Sequence, residues 1–163
     1  MKAIFKSQDL YAALDVAATS VDARLTIPVL GFVKLESMPD LASVQLSTTN
    51  LDVTISIVVP AQVEQGGCLC VPFSKLKSIL ALLPKESKVV IDGAKLTSER
   101  LKYKLLELEP DRFAELPAYP GNGIALPVKP FLRLLQTTAF VIGDESSRYA
   151  LGGIELTIAK NIC

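Results

Sequence analysis

The pattern of apolar and polar positions predicts the same order of elements twice before residue 109. Each copy has a strand, then a helix, then a group of short strands. In the first copy, residues 1–6 alternate as a strand does, Ser7 is the predicted N-cap, and Leu10 and Leu14 follow at helical spacing. Short alternating runs come next, and the turns between them predict successive strands of an antiparallel meander. These strands are predicted over residues 29–37, 42–48 and 51–59.

The second copy begins after the turn at Gly66-Gly67. Residues 68–71 predict a strand, and the spacing of Leu76 and Leu80 predicts a helix that Pro84 ends. The runs that follow alternate again and are separated by short turns, so they predict a second meander. Its strands are predicted over residues 89–91, 95–97 and 101–108.

A proline- and glycine-rich stretch precedes a third, shorter copy. Residues 109–123 contain three prolines and two glycines, which predicts a domain boundary. After it we predict a strand over 124–128, a helix with Phe131, Leu132 and Leu135 on its apolar face, and strands over 149–151 and 154–158. Aligning the three helix starts places Leu10, Leu76 and Leu132 at the same offset.

The two complete copies predict one α+β domain over residues 1–118, with antiparallel sheets and two helices packed on one face. Residues 119–163 hold the beginning of a second such domain. A lone copy would leave an apolar sheet face and an open strand edge, so we expect this second part to be incomplete.

Composition restricts the chemistry that this chain can perform. None of its 163 residues is histidine, which removes the commonest general base and the commonest metal ligand. The sequence has no G-x-S-x-G, Walker or G-x-G-x-x-G motif. We therefore expect a non-catalytic binding scaffold. The formal net charge is zero, so any contact with nucleic acid must depend on local patches.

Three cysteines, Cys68, Cys70 and Cys163, give an odd count that suits a reducing compartment. Cys68 and Cys70 share one face of a predicted strand. They could ligate a metal, but no third or fourth ligand is evident, and buried small apolar side chains are the preferred interpretation. The alternative of a thiol enzyme depends on Cys70, which lies just before a helix where a thiolate is favoured.

The N-terminal residues and the apolar runs bear on localisation. Residues 1–6 alternate and lack the long apolar stretch of a signal peptide. No apolar run approaches the length that spans a bilayer. We expect a cytoplasmic protein without a membrane partner.

Several segments, in order along the chain, resemble segments of one known family. "RLTIPVLG" resembles its R-P-T-L-P-I-L-G stretch, and "LSTTNLDVTI" its L-T-G-T-D-L-E strand. "VPFSKLKSILALLP" resembles its V-P-A-x-K-F-x-x-I-x-x-x-L-P helix, and "DRFAELP" its A-x-D-F-P-x-L segment. "SSRYALGGIELTI" resembles the D-x-R-Y-Y-L-N-G-x-L-F stretch that opens the middle domain. Together these segments cover nearly the whole chain. The family they resemble is the bacterial DNA polymerase III beta subunit, or sliding clamp, and they match its N-terminal domain plus the start of its middle domain.

The resemblance implies the DNA-clamp fold and a non-enzymatic processivity factor. Three domains per subunit and two subunits, joined head to tail, would form a ring around duplex DNA, with helices lining the hole. Its partners would be double-stranded DNA, contacted without reading sequence, DNA polymerase III and the clamp loader. No cofactor or metal is implied.

The resemblance also assigns roles to individual residues, for which the alternative is an ordinary solvated surface or a charged edge strand. Leu151 would line part of the pocket that takes client peptides. The predicted DNA contacts are Arg24, Lys75, Lys77, Arg148 and Tyr149. The predicted subunit interface comprises Lys75, Arg100, Lys102, Tyr103 and Leu105.

The family's remaining pocket residues, including a T-D-G-H-R-L segment, do not occur in this sequence. The resemblance therefore indicates a truncated clamp, in which ring closure and client docking are weak. The alternative is a truncated clamp paralogue that acts as an interaction module or has no function. Asp9 and Asp15 on the first helix, which carries no arginine, predict weak and salt-dependent DNA binding.

Overall fold

A computed structural model describes residues 1–21, 27–38, 40, 42–99, 101–117, 121, 123–142 and 152–157. The chain divides into two compact units, unit 1 (Met1–Ala118) and unit 2 (Tyr119–Cys163). The strands are β1 (Lys2–Lys6), β2 (Phe32–Ser37), β3 (Ser43–Thr49), β4 (Thr54–Pro60), β5 (Gln62–Gln65), β6 (Cys68–Pro72), β7 (Lys88–Asp92), β8 (Lys95–Ser98) and β9 (Leu101–Lys104). The α-helices are α1 (Ser7–Ala17), α2 (Phe73–Ala81) and α3 (Val128–Ala139).

The strands of unit 1 form two antiparallel sheets, in the orders β5-β1-β7-β8-β9 and β4-β3-β2-β6. Each sheet contains a three-strand meander, as predicted, but the first strand of each copy pairs with the meander of the other copy. β1 lies beside β7, with Phe5 opposite Val89, and β6 lies beside β2, with Val71 opposite Val33. The two copies are therefore interlocked, and neither has a complete sheet without the other.

The core of unit 1 lies where the two helices pack against these sheets. Leu10 and Leu14 of α1 and Leu76 and Leu80 of α2 are essentially inaccessible to solvent. The alternating strands bury every second side chain toward the same core, among them Val33 and Leu35 of β2. The α+β class predicted from the sequence is correct.

The start of α1 differs from its prediction. Ser7 is the first helical residue and is buried, and the N-cap position is Lys6, whose side chain makes no capping bond. The backbone N–H of Ser7 donates to the carbonyl of Ser87, and that of Gln8 to the carbonyl of Lys85. Carbonyls from a distant loop thus take the place of a side-chain cap, so Ser7 as N-cap was wrong.

Strand boundaries shift where a local turn competes with the sheet. Residues 28–31 form a 3-10 turn ahead of β2, and β9 ends at Lys104 rather than at residue 108. β4 starts only at Thr54 because the Asn50 Oδ1 atom accepts hydrogen bonds from the backbone N–H groups of Asp52 and Val53. The short strand β5 had no sequence prediction.

Unit 2 contains α3, which begins at Val128. Residues 124–127 and 154–157 have no assigned strand in this structure, and the strand predicted over 149–151 lies outside the described residues. The alignment of the three helices also needs correction. Counted from the N-caps Lys6, Pro72 and Pro127, the residue equivalent to Leu10 and Leu76 is Phe131, one position before Leu132.

Candidate nucleic-acid and subunit interface

The outward surface of α1 and α2 carries charges of both signs. Lys75 is exposed on α2, while the Lys77 Nζ atom lies 2.8 Å from the Asp15 Oδ1 atom of α1 and 5.9 Å from the centre of the Tyr11 ring. Lys77 therefore bridges the two helices and is partly neutralised within the chain. With Asp9 also exposed, this helix surface mixes acidic and basic side chains and is not a purely basic patch.

An open cleft of about 510 Å³ brings Lys75 together with the strand that leaves β9. Tyr103, Leu105 and Leu106 line one side of it, and the start of α2 lines the other. The structure thus places three of the predicted interface residues, Lys75, Tyr103 and Leu105, around one depression. Its other lining residues are Pro28, Gly31, Phe32, Pro72, Ser74 and Lys104.

β9 is the last strand of its sheet among the described residues, so its outer backbone groups face away from β8. Lys102 is exposed, and Tyr103, which lies opposite the buried Leu96, is 46% exposed. Leu105 is buried in the core, and its backbone N–H donates to the carbonyl of Ala94 at 2.7 Å. The exposed apolar side chain at this edge is Leu106, which the sequence analysis missed because it extended the strand alternation past Lys104.

α3 presents a basic pair that the sequence analysis also missed. Lys129 and Arg133 are exposed, one helical turn apart, on the side away from Phe131 and Leu135. The four-residue spacing of two basic residues in a predicted helix was the sequence signal that could have identified this pair. Counted from the N-caps, the equivalent positions hold Gln8 and Ala12 in α1, and Ser74 and Ser78 in α2.

Several predicted site residues lie outside the described residues. These are Arg24, Arg100, Arg148 and Tyr149, and Leu151 of the predicted client pocket.

The two strand cysteines face Lys34 and Glu36 across β2 and β6. Cys70 is fully buried, and burial together with the neighbouring Cys68 raises the pKa of its thiol to about 12, outweighing the opposing effect of Lys34. Burial raises the pKa of Cys68 as well. Both thiols are therefore protonated at neutral pH, the opposite of what a nucleophilic cysteine requires.

Within the described part of the chain, no three His, Cys, Asp or Glu side chains come close enough together to hold a metal ion. None of the described helices has the length and apolar character required to cross a membrane.

Residues 1–117 match the N-terminal domain of the DNA polymerase III beta subunit. Among curated proteins, the chain is similar to the beta sliding clamp of Rickettsia felis, with 27% identity over 100% of this chain and 44% of that protein. It is 28% identical to the beta sliding clamp of a Synechocystis species, over 96% of this chain and 43% of that protein.

Solved structures agree with the sequence comparison. A sliding clamp from Bartonella birtlesii superposes with a TM-score of 0.86 and 28% identity, covering 99% of this chain and 44% of that one. The DNA polymerase III beta subunit of Caulobacter crescentus superposes with a TM-score of 0.82 and 28% identity, covering 94% of this chain and 42% of that one. The fold is therefore the DNA-clamp fold, and the chain spans about 44% of the length of these relatives.

Proposed function

The chain belongs to the DNA polymerase III beta subunit family, and we propose that it acts as part of a sliding clamp, a non-catalytic factor that holds a polymerase on duplex DNA. Unit 1 corresponds to the first clamp domain and residues 119–163 to the start of the next. The observation that supports this proposal best is the family match over residues 1–117 together with the DNA-clamp fold.

We place the DNA-facing surface on the helices. Lys75 of α2 and Lys129 and Arg133 of α3 carry positive charges on exposed helix surfaces, where they can contact phosphates without reading bases. Lys77 contributes less, because its ammonium group already pairs with Asp15. Arg24, Arg148 and Tyr149 remain proposed contacts from the family resemblance.

We place the subunit contact at the β9 edge. A partner strand can add to the outer backbone groups of β9, while Lys75, Lys102 and Tyr103 contact the partner around it. The side chain of Leu106 is 68% exposed and is therefore accessible to such a partner. Arg100 belongs to the same proposed edge. Leu105 supports the edge from within the core rather than touching the partner.

A second candidate function is an interaction module that docks on another clamp subunit without holding DNA. The open β9 edge favours it, as does the mixed charge of the α1 and α2 surface. This candidate predicts binding to a clamp subunit and no binding to duplex DNA.

Fluorescence anisotropy with a short labelled duplex, at several salt concentrations, tests the first candidate. We expect weak binding whose affinity falls steeply with salt, and Arg133→Glu should weaken it and lower the slope of log K against log salt by about 0.9. Lys95→Glu is the matched control, because Lys95 is an exposed lysine that belongs to strand β8 and not to a helix. Equal losses in both variants, or affinity that does not respond to salt, would contradict the proposal.

A further inference from the structure

Cys68 and Cys70 lie on the face of β6 that is turned away from the core of unit 1. Alternation along this strand directs Leu69 and Val71 into the core, where both are essentially inaccessible to solvent. The two thiols therefore share the opposite face of the sheet. They lie outside the cluster of apolar side chains that packs between the sheets and the helices.

The neighbours of this thiol pair on β2 are charged. Strand register places Lys34 opposite Cys70 and Glu36 opposite Cys68. The Lys34 Nζ atom lies 2.9 Å from the Glu36 Oε2 atom, and the side chain of Lys34 is only 24% exposed. On its other side Lys34 lies opposite Ser47 of β3. Space filling by small apolar side chains, the interpretation preferred from the sequence, does not require such polar surroundings.

The thiol pair lies within electrostatic reach of the Lys34 ammonium group. Burial is the largest cause of the raised pKa of Cys70, followed by the neighbouring Cys68, while Lys34 acts in the opposite direction. Burial is also the largest cause at Cys68, and Lys34 again lowers the pKa. Because charge effects weaken with distance, both sulfur atoms must be near this cation. A negative charge formed on the pair would therefore have a compensating charge beside it.

The pair is open at one end and closed at the other. Cys70 is fully buried, and the segment after β9 lies along β6 beside it. The backbone N–H of Leu108 donates to the Cys70 carbonyl at 3.0 Å, and the 3-10 turn Pro110–Arg112 contacts β6. Cys68 is partly exposed. A small ion would therefore reach the pair from the Cys68 side.

The geometry of β6 favours a shared metal ion over a disulfide. Residues two apart on an extended strand have Cα atoms about 6.6–6.8 Å apart, at the upper limit for a disulfide, and their Cβ atoms point the same way. Antiparallel pairing with β2 along all of β6 holds the strand in this form. Two metal–sulfur bonds of about 2.3 Å each, arranged in line, span about 4.6 Å, which two cysteine side chains at this spacing can reach.

The number of ligands selects the kind of ion. Within the part of the chain that the structure describes, no third His, Cys, Asp or Glu side chain completes a metal-binding cluster with these two. Structural zinc takes four ligands, and iron–sulfur clusters take four thiolates. Copper(I) is a soft ion that prefers thiolates and accepts two of them. It is the ion that this pair fits best.

We propose that Cys68 and Cys70 bind one copper(I) ion as two thiolates, and that the Lys34 ammonium group compensates the charge of the complex. On binding, two S–H bonds break, two Cu–S bonds form and two protons pass to solvent, with no electron transferred. Two thiolates and one monovalent cation leave one net negative charge, which the ammonium group offsets. The site uses neither the helix surface nor the β9 edge, so it is independent of the proposed function.

Anaerobic titration of the full 163-residue chain with copper(I), in competition with the chelator bicinchoninate, tests the proposal. We expect the pair to bind one ion per chain and Cys68→Ser to abolish this binding. Cys163→Ser is the matched control, because it removes the same group at a position outside the pair and should leave the affinity unchanged. Lys34→Gln should weaken binding by about tenfold, as loss of a group beside the ligands does. Circular dichroism checks that each variant is folded.

Three results of this titration would overturn the proposal. One is a wild-type chain that binds copper(I) no more tightly than Cys68→Ser. A second is loss of binding in Cys163→Ser, which would assign the ion to another site. A third is an unchanged affinity in Lys34→Gln, which would remove the charge compensation.

X-ray absorption at the copper edge tests the ligand set without any variant. The copper(I)-loaded chain should show two sulfur neighbours around the ion. One sulfur neighbour, or three, would contradict a site made of Cys68 and Cys70.

Discussion

The helices of unit 1 and the helix of unit 2 have related patterns but different surroundings. α1 and α2 each cover a sheet and bury a leucine four residues after the N-cap, Leu10 and Leu76. α3 places Phe131 at that position and leaves it partly exposed. The helix of this repeat therefore forms from its local pattern, whereas the strand pairing and the packing seen in unit 1 come from contacts with a second repeat.

The largest effect that we expect is a difference in stability loss between a leucine substitution in the buried helix α2 and one in the partly exposed helix α3. Leu76→Ala should lower the free energy of unfolding by about 2–5 kcal/mol, because it opens a cavity in a filled core. Leu132→Ala, the same substitution on the partly exposed flank of α3, should change it by less than about 0.5 kcal/mol. Urea denaturation followed by circular dichroism measures both. Similar losses at the two positions would mean that α3 is as tightly packed as α2.

Alkaline pH should weaken unit 1 through Cys70. The thiol has an ordinary pKa of 9.0, and burial raises the pKa of Cys70 in the folded chain to about 12. Between these values the unfolded chain has released a proton that the folded chain retains, so stability falls as pH rises through this window. Cys70→Ala should reduce this fall, which urea denaturation at pH 8 and pH 10 can measure. An unchanged pH dependence in the variant would contradict the role of Cys70.

Removing one carboxylate should make the charge of the α1 and α2 surface more like that of α3. We expect a smaller effect from this change than from the substitutions above. Asp15→Asn removes the carboxylate that pairs with Lys77, so Lys77 becomes available to phosphate. We expect DNA affinity to rise by a few-fold and the salt slope to steepen by about 0.9. Asp40→Asn, the same change at an exposed turn residue of unit 1, serves as the control. A rise of the same size in both variants would indicate a general charge effect.

Local patterns predicted most of the fold, and contacts between distant segments account for what they missed. Alternation in β1 and β3 and helical spacing in α1 and α2 follow from burial on one face. This pattern is visible in the sequence of each segment by itself. The Ser87 carbonyl that accepts a hydrogen bond from the Ser7 N–H belongs to the other repeat. The sequence around Ser7 therefore contains no signal for this bond. The same holds for the pairing of Lys77 with Asp15, 62 residues apart.

The candidate site was predictable only in part, for the same reason. Lys75 and Tyr103 meet at one cleft because the fold brings the start of α2 to β9, which the resemblance implied and spacing alone did not. Leu106 was missed because the strand was extended past its true end. Lys129 and Arg133 had a local signal, the i, i+4 spacing, which the sequence analysis did not use.

An NMR titration of the labelled chain with duplex DNA shows directly whether the exposed basic residues of the helices contact DNA. We expect backbone signals of α2 and α3 near Lys75, Lys129 and Arg133 to shift on addition of DNA and to return when salt is raised. Signals of β8, which carries the control residue Lys95, should stay in place. Shifts confined to the sheets, or no shifts at low salt, would contradict a DNA-facing helix surface.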